Sequence, residues 1–298
     1  MTRHRASTYA AAFAVAAVLA GATLPCVAAS ESGDSRLAAI GEAYYKGTWE
    51  FAPAEATSAG VHDYDSQLGS VTPAAFANEI ARLHATLAAV NAIDADDLSL
   101  DGRADRQLLA SDVGQRIFSL EERPEWRDSP NYYVDRGSQA IFSIISRDYA
   151  PLSTRMNYVI ARERQIPAMI AQAESNLRPA DVPAIYAQTA MLDAAGAADF
   201  FEHDVNDAFA PIADPTLRAR FAASNGAAIA AYANYAAFIK ASVIPKAHAP
   251  FAIGAQAYEH LETLQNVEDI PLSKLLAVGE ANLAKDKAAF VATAKRID

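Results

Sequence analysis

DPTLRARFAASNGAAIAAYANYAAFIKASVIPK, residues 214–246, is the stretch that decides the fold. It reads as one of the two longest helices of the chain and carries alanine, a strong helix former, on almost every face. Tyr232, Tyr235 and Phe238 are interleaved among the alanines. Because small side chains let neighbouring helices approach closely, we expect this segment to be a central helix.

The other long helical segment, about Asp181 to Phe209, comes directly before it. Only residues 210–213 join the two, and a connection this short is typical of helices that lie side by side in opposite directions. The pattern therefore predicts an antiparallel helix pair.

Helical patterns dominate the rest of the chain, and strand patterns are nearly absent. Proline and capping residues mark the starts of several helices, and Pro167 is expected to interrupt the helix that begins at Pro151. We expect irregular structure at 124–130, an extended stretch at 251–254, and helices at 35–51, 53–60, 72–90, 99–121, 132–145 and from Pro151 onward. The predicted fold class is all-α, an irregular multi-helix array without a fixed repeat.

The N-terminus has the layout of a secretory signal peptide. Arg3 to Arg5 is basic, residues 9–24 are apolar, and Val27-Ala28-Ala29 resembles a cleavage site. A membrane anchor is the alternative, but the apolar run is shorter than the roughly 20 residues that span a bilayer. We therefore expect residues 1–29 to be a signal peptide and residues 30–298 to form one helical domain of an exported, periplasmic or secreted protein.

The single cysteine, Cys26, lies within that leader. Pro25 and Thr23 do not suit lipidation of this thiol, so we expect it to be removed by cleavage after Ala29. The mature chain would then contain no disulfide, thiolate nucleophile or cysteine-based zinc site.

The charge of the chain restricts its partners. The whole sequence has a formal net charge of −11, and loss of Arg3 and Arg5 with the leader changes this net charge to about −13. Nucleic acids and anionic lipids require basic surfaces. We therefore expect no nucleic-acid partner and, after cleavage of the leader, no membrane partner.

Two histidine-containing clusters could carry chemistry. His203 and Asp207 are four residues apart, which would place two metal ligands on one helix face, but a third ligand is not evident and a solvated acidic stretch is the alternative. Glu259, His260 and Glu262 could perform acid–base chemistry, although adjacent helical residues point in different directions.

Other polar segments favour structural roles. The aspartates between Asp94 and Asp101 lack the register of a calcium loop and read as helix-capping sequence. His248 lies alone in a connector. The sequence contains no H-E-x-x-H, G-x-S-x-G or phosphate-binding G-x-x-x-x-G-K-[ST] motif. We therefore expect no catalytic residue and no metal ligand in this chain.

Five stretches in order resemble the bacterial family known as DUF885. They are PAEATSAGVHDYD at 53–65, EW at 125–126 with SPNYY at 129–133, PLSTR at 151–155, RQIP at 164–167 and FAIGAQAY at 251–258. Ser129 stands where the family more often has Asn. No single stretch is specific, but their shared order covers nearly all of the mature chain.

The resemblance implies a function as well as a fold. Members of that family are about twice as long as this chain, are often exported, and resemble helical zinc metallopeptidases of the gluzincin type. Their H-E-x-x-P-G-H-H motif lies in the C-terminal half, so zinc is expected only if such a half is present. His62, Tyr64 and Tyr258, which lie in the matching stretches, are the candidates for contact with a peptide or small-molecule substrate.

The last helical pattern, from Leu272, reaches Asp298 without a Gly, Asn or Pro that would end it. We therefore expect the chain to be the N-terminal part of a longer metallopeptidase-like protein, inactive alone. The alternative is a stand-alone helical binding module without catalysis. A reading frame that continues past Asp298 would favour the first hypothesis, and a stop codon with a well-folded product would favour the second.

Overall fold

The computed structural model describes residues 32–266 and 270–297. The predicted signal peptide, including Cys26, lies outside these residues. Over the described ranges the chain is helical and contains no β-strand, apart from one isolated backbone pairing of Pro183 with Ala249. The all-α prediction is therefore confirmed.

The α-helices of the described residues are joined by connections of varied length. They are α1 Gly33–Phe51, α2 Pro53–Ala59, α3 Pro73–Asn91, α4 Leu100–Ile117, α5 Glu125–Asp128, α6 Asn131–Ile145, α7 Leu152–Glu163, α8 Ile166–Asn176, α9 Ala184–Glu202, α10 Asp204–Ala208, α11 Pro215–Phe238, α12 Ala255–Asn266 and α13 Leu272–Ile297.

The predicted central helix is α11, which packs against α7, α8 and α9. Its most extensive contact is with α9, as the short connection suggested. Phe221, Tyr232 and Tyr235 are almost fully buried in the core. By length and composition alone, the segment Pro215–Lys246 would also be able to cross a membrane. In this fold its large aromatic side chains instead pack among neighbouring helices.

Local signals placed several helix boundaries correctly. The Thr72 side chain accepts a hydrogen bond from the backbone N–H of Ala75 at the start of α3, and Ser99 does the same for Gly102 at the start of α4. Gly60 ends α2 with φ +86°, a conformation that glycine adopts without strain. Pro167 falls in the first turn of α8, where its missing N–H is not needed.

Three predictions of secondary structure were wrong. The stretch 124–130 contains the short helix α5, whose Trp126 is buried and stacks on Phe76 with ring centroids 4.3 Å apart. The expected helix 181–209 breaks at His203, where the Asn206 side chain donates to the carbonyl of Glu202. The segment after Phe238 continues as a wider π-helical turn, Ile239–Val243, followed by a 3-10 turn. In each case tertiary packing overrides the local pattern.

A smaller group of helices lies beside the core. Helix α3 packs on α1 and α4, and α12 packs on α4. The apolar side chains of α13 face solvent: Leu276 is 63% exposed, Leu283 69% and Phe290 74%. The amphipathic pattern that the sequence shows from Leu272 onward is thus present as an exposed stripe.

Candidate functional site

The turn that contains His62 and Tyr64 is built around a buried carboxylate. Asp65 has no exposed surface and accepts hydrogen bonds from the hydroxyls of Thr57 and Tyr149, each at 2.6 Å. His62 Nδ1 lies 3.0 Å from the same carboxyl group, and its ring stacks on Tyr149 at 3.9 Å. The imidazole is thereby held between a carboxylate and an aromatic ring.

Arg162 joins this turn to the core. It is fully buried on α7 and donates to Thr57 Oγ1 at 2.7 Å and to the carbonyl of Tyr64 at 3.4 Å. Burial lowers the pKa of Arg162 to about 10, with the nearby Asp65 acting in the opposite direction. Arg162 therefore anchors residues 62–65 to α7. The hydrogen bonds of this turn provide partners for the buried side chains of Asp65 and Arg162.

The three candidate substrate residues do not converge. Tyr64 contributes its carbonyl to Arg162, and its side chain is half-buried. Tyr258 lies on α12, which packs on α4, and is 44% exposed. A hydrogen bond to Glu262 raises the pKa of the Tyr258 hydroxyl. His62 and Tyr258 thus belong to separate parts of the surface, and their roles as substrate contacts stay predictions.

In the two polar clusters noted in the sequence, each histidine lies beside one nearby carboxylate. His203 lies between α9 and α10, and its Nε2 is 3.4 Å from Oδ1 of Asp199, one turn earlier on α9. His260 pairs with Glu122 at 3.1 Å rather than with the adjacent Glu259 or Glu262. Among residues 32–266 and 270–297, no group of three or more His, Cys, Asp or Glu side chains could hold a metal ion.

The remaining loop candidates also have local partners. His248 Nδ1 is 2.6 Å from the carbonyl oxygen of Lys246. In the acidic loop, the Asp94 side chain accepts from the N–H of Asp96, and Asp34 accepts from the N–H of Ser99. The prediction that this loop caps helices is confirmed.

A cavity of about 680 Å³, which we call the cleft, lies between α2, α4, α5 and α6. Residues 52–55 line one side and Asp112, Gln115 and Arg116 of α4 line the floor. The opposite side carries polar residues of α5, α6 and their connection: Glu125, Ser129, Asn131, Tyr132, Asp135, Arg136 and Gln139.

Most charges in the cleft are paired within the protein. Arg116 binds both carboxylate oxygens of Glu55, at 2.6 and 3.2 Å, and lies 3.8 Å from Asp112. Glu79 is bound by both Nε and Nη2 of Arg82, each at 2.7 Å. The Arg116–Glu55 pair joins α4 to α2, whereas Glu79 and Arg82 both lie on α3.

Arg136 is committed to protein oxygens as well. Its guanidinium donates to the carbonyl of Phe51 and to the hydroxyl of Tyr132, and it lies over the Phe51 ring at 5.0 Å. The same group occupies the space beside Gly69, where a Cβ would come within 2.6 Å of Nη2. Arg136 therefore fastens α6 to the end of α1.

The acidic end of the cleft differs from the rest, because its carboxylates are not paired with a basic side chain of the described residues. Glu125 and Asp135 lie at its rim, and in the described part of the chain neither has a Lys, Arg or His nitrogen within 4.0 Å. Partial burial raises the pKa of Glu125, which Arg123 opposes and Asp135 reinforces. Partial burial, with the charge of Asp193, also raises the pKa of Asp135.

A second cavity of about 780 Å³ adjoins the cleft along α4. Asp112 and Gln115 line both cavities, which therefore lie side by side along α4; we call the two together the groove. The second cavity is lined by Asp34, Asp101 and Asp105 and has Tyr45 at its wall.

Sequence reasoning did not select the residues of the cleft as a site. Glu125 and Asn131 fall in stretches that resemble a family, yet neither was identified as a binding residue. Arg116 and Asp135 lie on amphipathic helices where a charged residue ordinarily faces solvent. The only available signal was the concentration of Asn and Tyr residues at 131–133 beside an acidic segment.

Comparisons with known proteins agree with this fold. A family model described as "Bacterial protein of unknown function (DUF885)" matches residues 53–298. A solved structure described as "a putative lipoprotein of unknown function from Shewanella oneidensis" is similar with a TM-score of 0.72 and 22% identity, covering 87% of this chain and 46% of that one. This chain thus spans about half the length of that protein. The comparison with curated proteins found no match.

The likeness to the solved structure concerns the fold, because the identity is low. The family match is stronger evidence of relationship, since it extends from the start of α2 through the last helix. It also includes all five stretches that carry the resemblance. The chain belongs to the DUF885 family.

Proposed function

We propose that this chain forms the substrate-binding wall of an exported peptidase, with the groove along α4 holding a peptide. The observation that carries the proposal is the composition of the cleft. Residues 53–55, 125, 129, 131 and 132, which belong to the stretches that resemble the family, line it together although they are distant in sequence. A basic, apolar N-terminal leader supports export.

The role proposed for this chain is binding and orientation. Zinc would suit peptide hydrolysis, but the described residues do not assemble a set of ligands for it. No hydrolytic step is therefore assigned to these residues. Gln115, which lines both cavities, and the paired charges around it would position the substrate backbone across the groove.

Binding of a fluorescent, unstructured peptide to the purified 298-residue protein tests the proposal. We expect saturable binding that Gln115→Trp weakens at least tenfold, because the indole would obstruct the place where the two cavities meet. Gln188→Trp, on the exposed face of α9, is the matched control and should bind like the wild type. We expect no cleavage of the peptide with or without added zinc.

Zinc-dependent cleavage that a chelator abolishes would contradict the role assigned to this chain. Equal binding by the wild type and Gln115→Trp would exclude the groove as the site.

A second candidate function is a helical binding module without catalysis. The exposed apolar side chains of α13, among them Leu283 and Phe290, favour it. In that case Phe290→Gln would abolish peptide or partner binding and Gln115→Trp would leave it unchanged. The two candidates therefore predict opposite results for the same pair of variants.

A further inference from the structure

We propose that residues 252–266, which we call the strap, close over one end of the groove and retain the bound peptide. The strap consists of α12 and the three residues before it. The inference rests on the proposed function of the groove and adds a conformational step to it: the strap opens to admit a peptide and closes on it.

The strap forms part of the wall of the second cavity. Gln265 lines that cavity together with Ser111 of α4. The Ser111 hydroxyl donates to the carbonyl of Leu264 at 2.5 Å and so holds the last turn of α12 beside the cavity. This end of the groove therefore keeps its shape only while α12 remains on α4.

The attachment of α12 is shallow. No residue of this helix is buried, and it packs chiefly on α4. Its contact between His260 and Glu122 involves side chains that are 47% and 42% exposed, and exposed pairs of this kind contribute little to stability. A helix without a buried residue opens locally at a lower free energy than core helices such as α9 and α11.

The connection before α12 has the features of a hinge. The N–H of Ala249 donates to the carbonyl of Val182 at 3.2 Å. The Phe251 ring lies edge-on to the ring of Tyr186 on α9, with centroids 5.6 Å apart, so the chain is fixed as far as this residue. Gly254 follows with φ +89°, and apart from its chain neighbours no atom lies within 4 Å of its Cβ position. This glycine serves the backbone conformation rather than packing, and the open space around it leaves room for the strap to rotate.

Leu264 acts as the latch of the strap. A Cβ at Gly114 of α4 would lie 2.6 Å from Cδ2 of Leu264, so this leucine fills the notch that the glycine leaves. Gly114 and Ser111 are three residues apart and lie on the same face of α4. Asp112 and Gln115, in the same turn of the helix, line both cavities. A peptide in the groove and the latch therefore contact the same turn of α4.

Closure follows from the binding of a peptide. A ligand shifts an equilibrium between open and closed states only if it interacts more strongly with one of them. Gln265 reaches the second cavity when the strap is closed, and its amide can both donate to and accept from a peptide backbone. A peptide that extends into this cavity therefore favours the closed strap.

Hydrogen exchange with and without an unstructured peptide tests the movement. In the free 298-residue protein we expect the amides of α12 to exchange faster than those of α9 and α11. Saturating peptide should slow exchange in α12 at least tenfold and leave α9 unchanged. In Gln115→Trp, at the same peptide concentration, this slowing should be lost. Exchange in α12 that is as slow as in α11 without peptide would overturn the strap, because it would show a fixed helix.

A reversible cross-link tests the retention of the peptide. In a Cys26→Ser background, Gly114→Cys and Leu264→Cys introduce the only two thiols. A Cβ at position 114 would lie 3.8 Å from Cγ of Leu264, so the closed strap brings the two cysteines close enough for a disulfide. Oxidation after the peptide has bound should slow its dissociation at least tenfold, and reduction should restore the rate. Leu264→Cys alone is the control, in which oxidation should change nothing.

Circular dichroism establishes that the variants are folded. Equal dissociation rates from the oxidised and reduced double-cysteine protein, with binding that Gln115→Trp still weakens, would overturn the strap and leave the groove as a peptide site. Equal binding by the wild type and Gln115→Trp would refute the groove, and the strap with it. A wild-type protein that binds no peptide would refute both as well.

Discussion

Glu163 lies on α7 with no exposed surface, and its Oε2 is 2.5 Å from Oγ of Ser224 on α11. The same hydroxyl oxygen is 3.1 Å from the carbonyl oxygen of Phe221. Because a hydroxyl has one proton, Ser224 cannot donate to both. A protonated Glu163 resolves the conflict by donating to Ser224, which then donates to Phe221. Burial raises the pKa of Glu163 to about 8, although a hydrogen bond donated by Ser224 to the charged carboxylate opposes the shift.

This residue makes the free energy of unfolding depend on pH. Between the ordinary value of 4.5 and about 8, the native state keeps the proton that the unfolded state releases. Stability from this group is therefore present below pH 4.5 and is lost as the pH rises toward 8, by at most about 1.4 kcal/mol per pH unit. We expect Glu163→Gln to flatten this dependence and to stabilise the protein at about pH 7, as measured by urea denaturation between about pH 5 and 8.

Glu202→Gln serves as the control for that measurement, because it removes an exposed carboxylate of α9. Its stability should follow the wild-type slope. A Glu163→Gln variant that retains this slope would show that another group causes the pH dependence.

At the scale of helices, the contact of Tyr232 on α11 with α6 depends on a glycine. A Cβ built on Gly137 of α6 would lie 1.9 Å from the hydroxyl oxygen of Tyr232 on α11 and 3.0 Å from Cε of Met169. Tyr232 is fully buried, so it has little room to move. The packing of the Tyr232 hydroxyl against α6 therefore requires the absence of a side chain at position 137.

We expect Gly137→Ala to destabilise the protein by about 1–3 kcal/mol, the usual cost of overpacking, although alanine is the better helix former. Gly226→Ala is the matched control: nothing lies within 4 Å of its Cβ position on α11, and it should stabilise the protein by up to about 1 kcal/mol. Urea denaturation measures both. Adding Tyr232→Phe to Gly137→Ala should recover part of the loss, and equal behaviour of the two glycine variants would contradict the steric argument.

At the scale of the whole molecule, α12 is attached to the helical core through α4. The Ser111 hydroxyl donates to the carbonyl of Leu264 at 2.5 Å, and Leu264 fills the space over Gly114. His260 adds a contact with Glu122 and lies edge-on to Phe118. Since Gln265 lines the second cavity, this attachment also shapes one end of the groove.

Gly114→Leu should displace Leu264 and release α12 from α4. Hydrogen exchange measured by mass spectrometry is expected to show loss of protection in residues 255–266, while α9 and α11 keep theirs. Gly41→Ala is the control, since nothing lies within 4 Å of its Cβ position. Unchanged protection of residues 255–266 in Gly114→Leu would show that α12 does not depend on this contact.

Much of the secondary structure was predictable because its signals act over a few residues. Thr72, Ser99, Gly60 and Pro167 each define a helix end through backbone geometry or a hydrogen bond within one turn. The break at His203 was not predictable in this way. It arises within a continuous helical pattern, where the packing of Val205 and Phe209 in the core decides the direction of the chain.

The sequence by itself determined the all-α class, the central position of the alanine-rich helix and the family, since composition, periodicity and ordered motifs are properties of the linear chain. Only the tertiary structure determined which residues line the cleft. Glu55, Arg116 and Asp135 lie on three helices, and no local pattern specifies which faces of those helices meet. The same holds for the turn of His62 and Tyr64, two of the candidate substrate contacts, which is built around the buried Asp65 and its hydrogen bonds with Thr57 and Tyr149. Long-range packing decides which charges are neutralised and which remain available to a ligand.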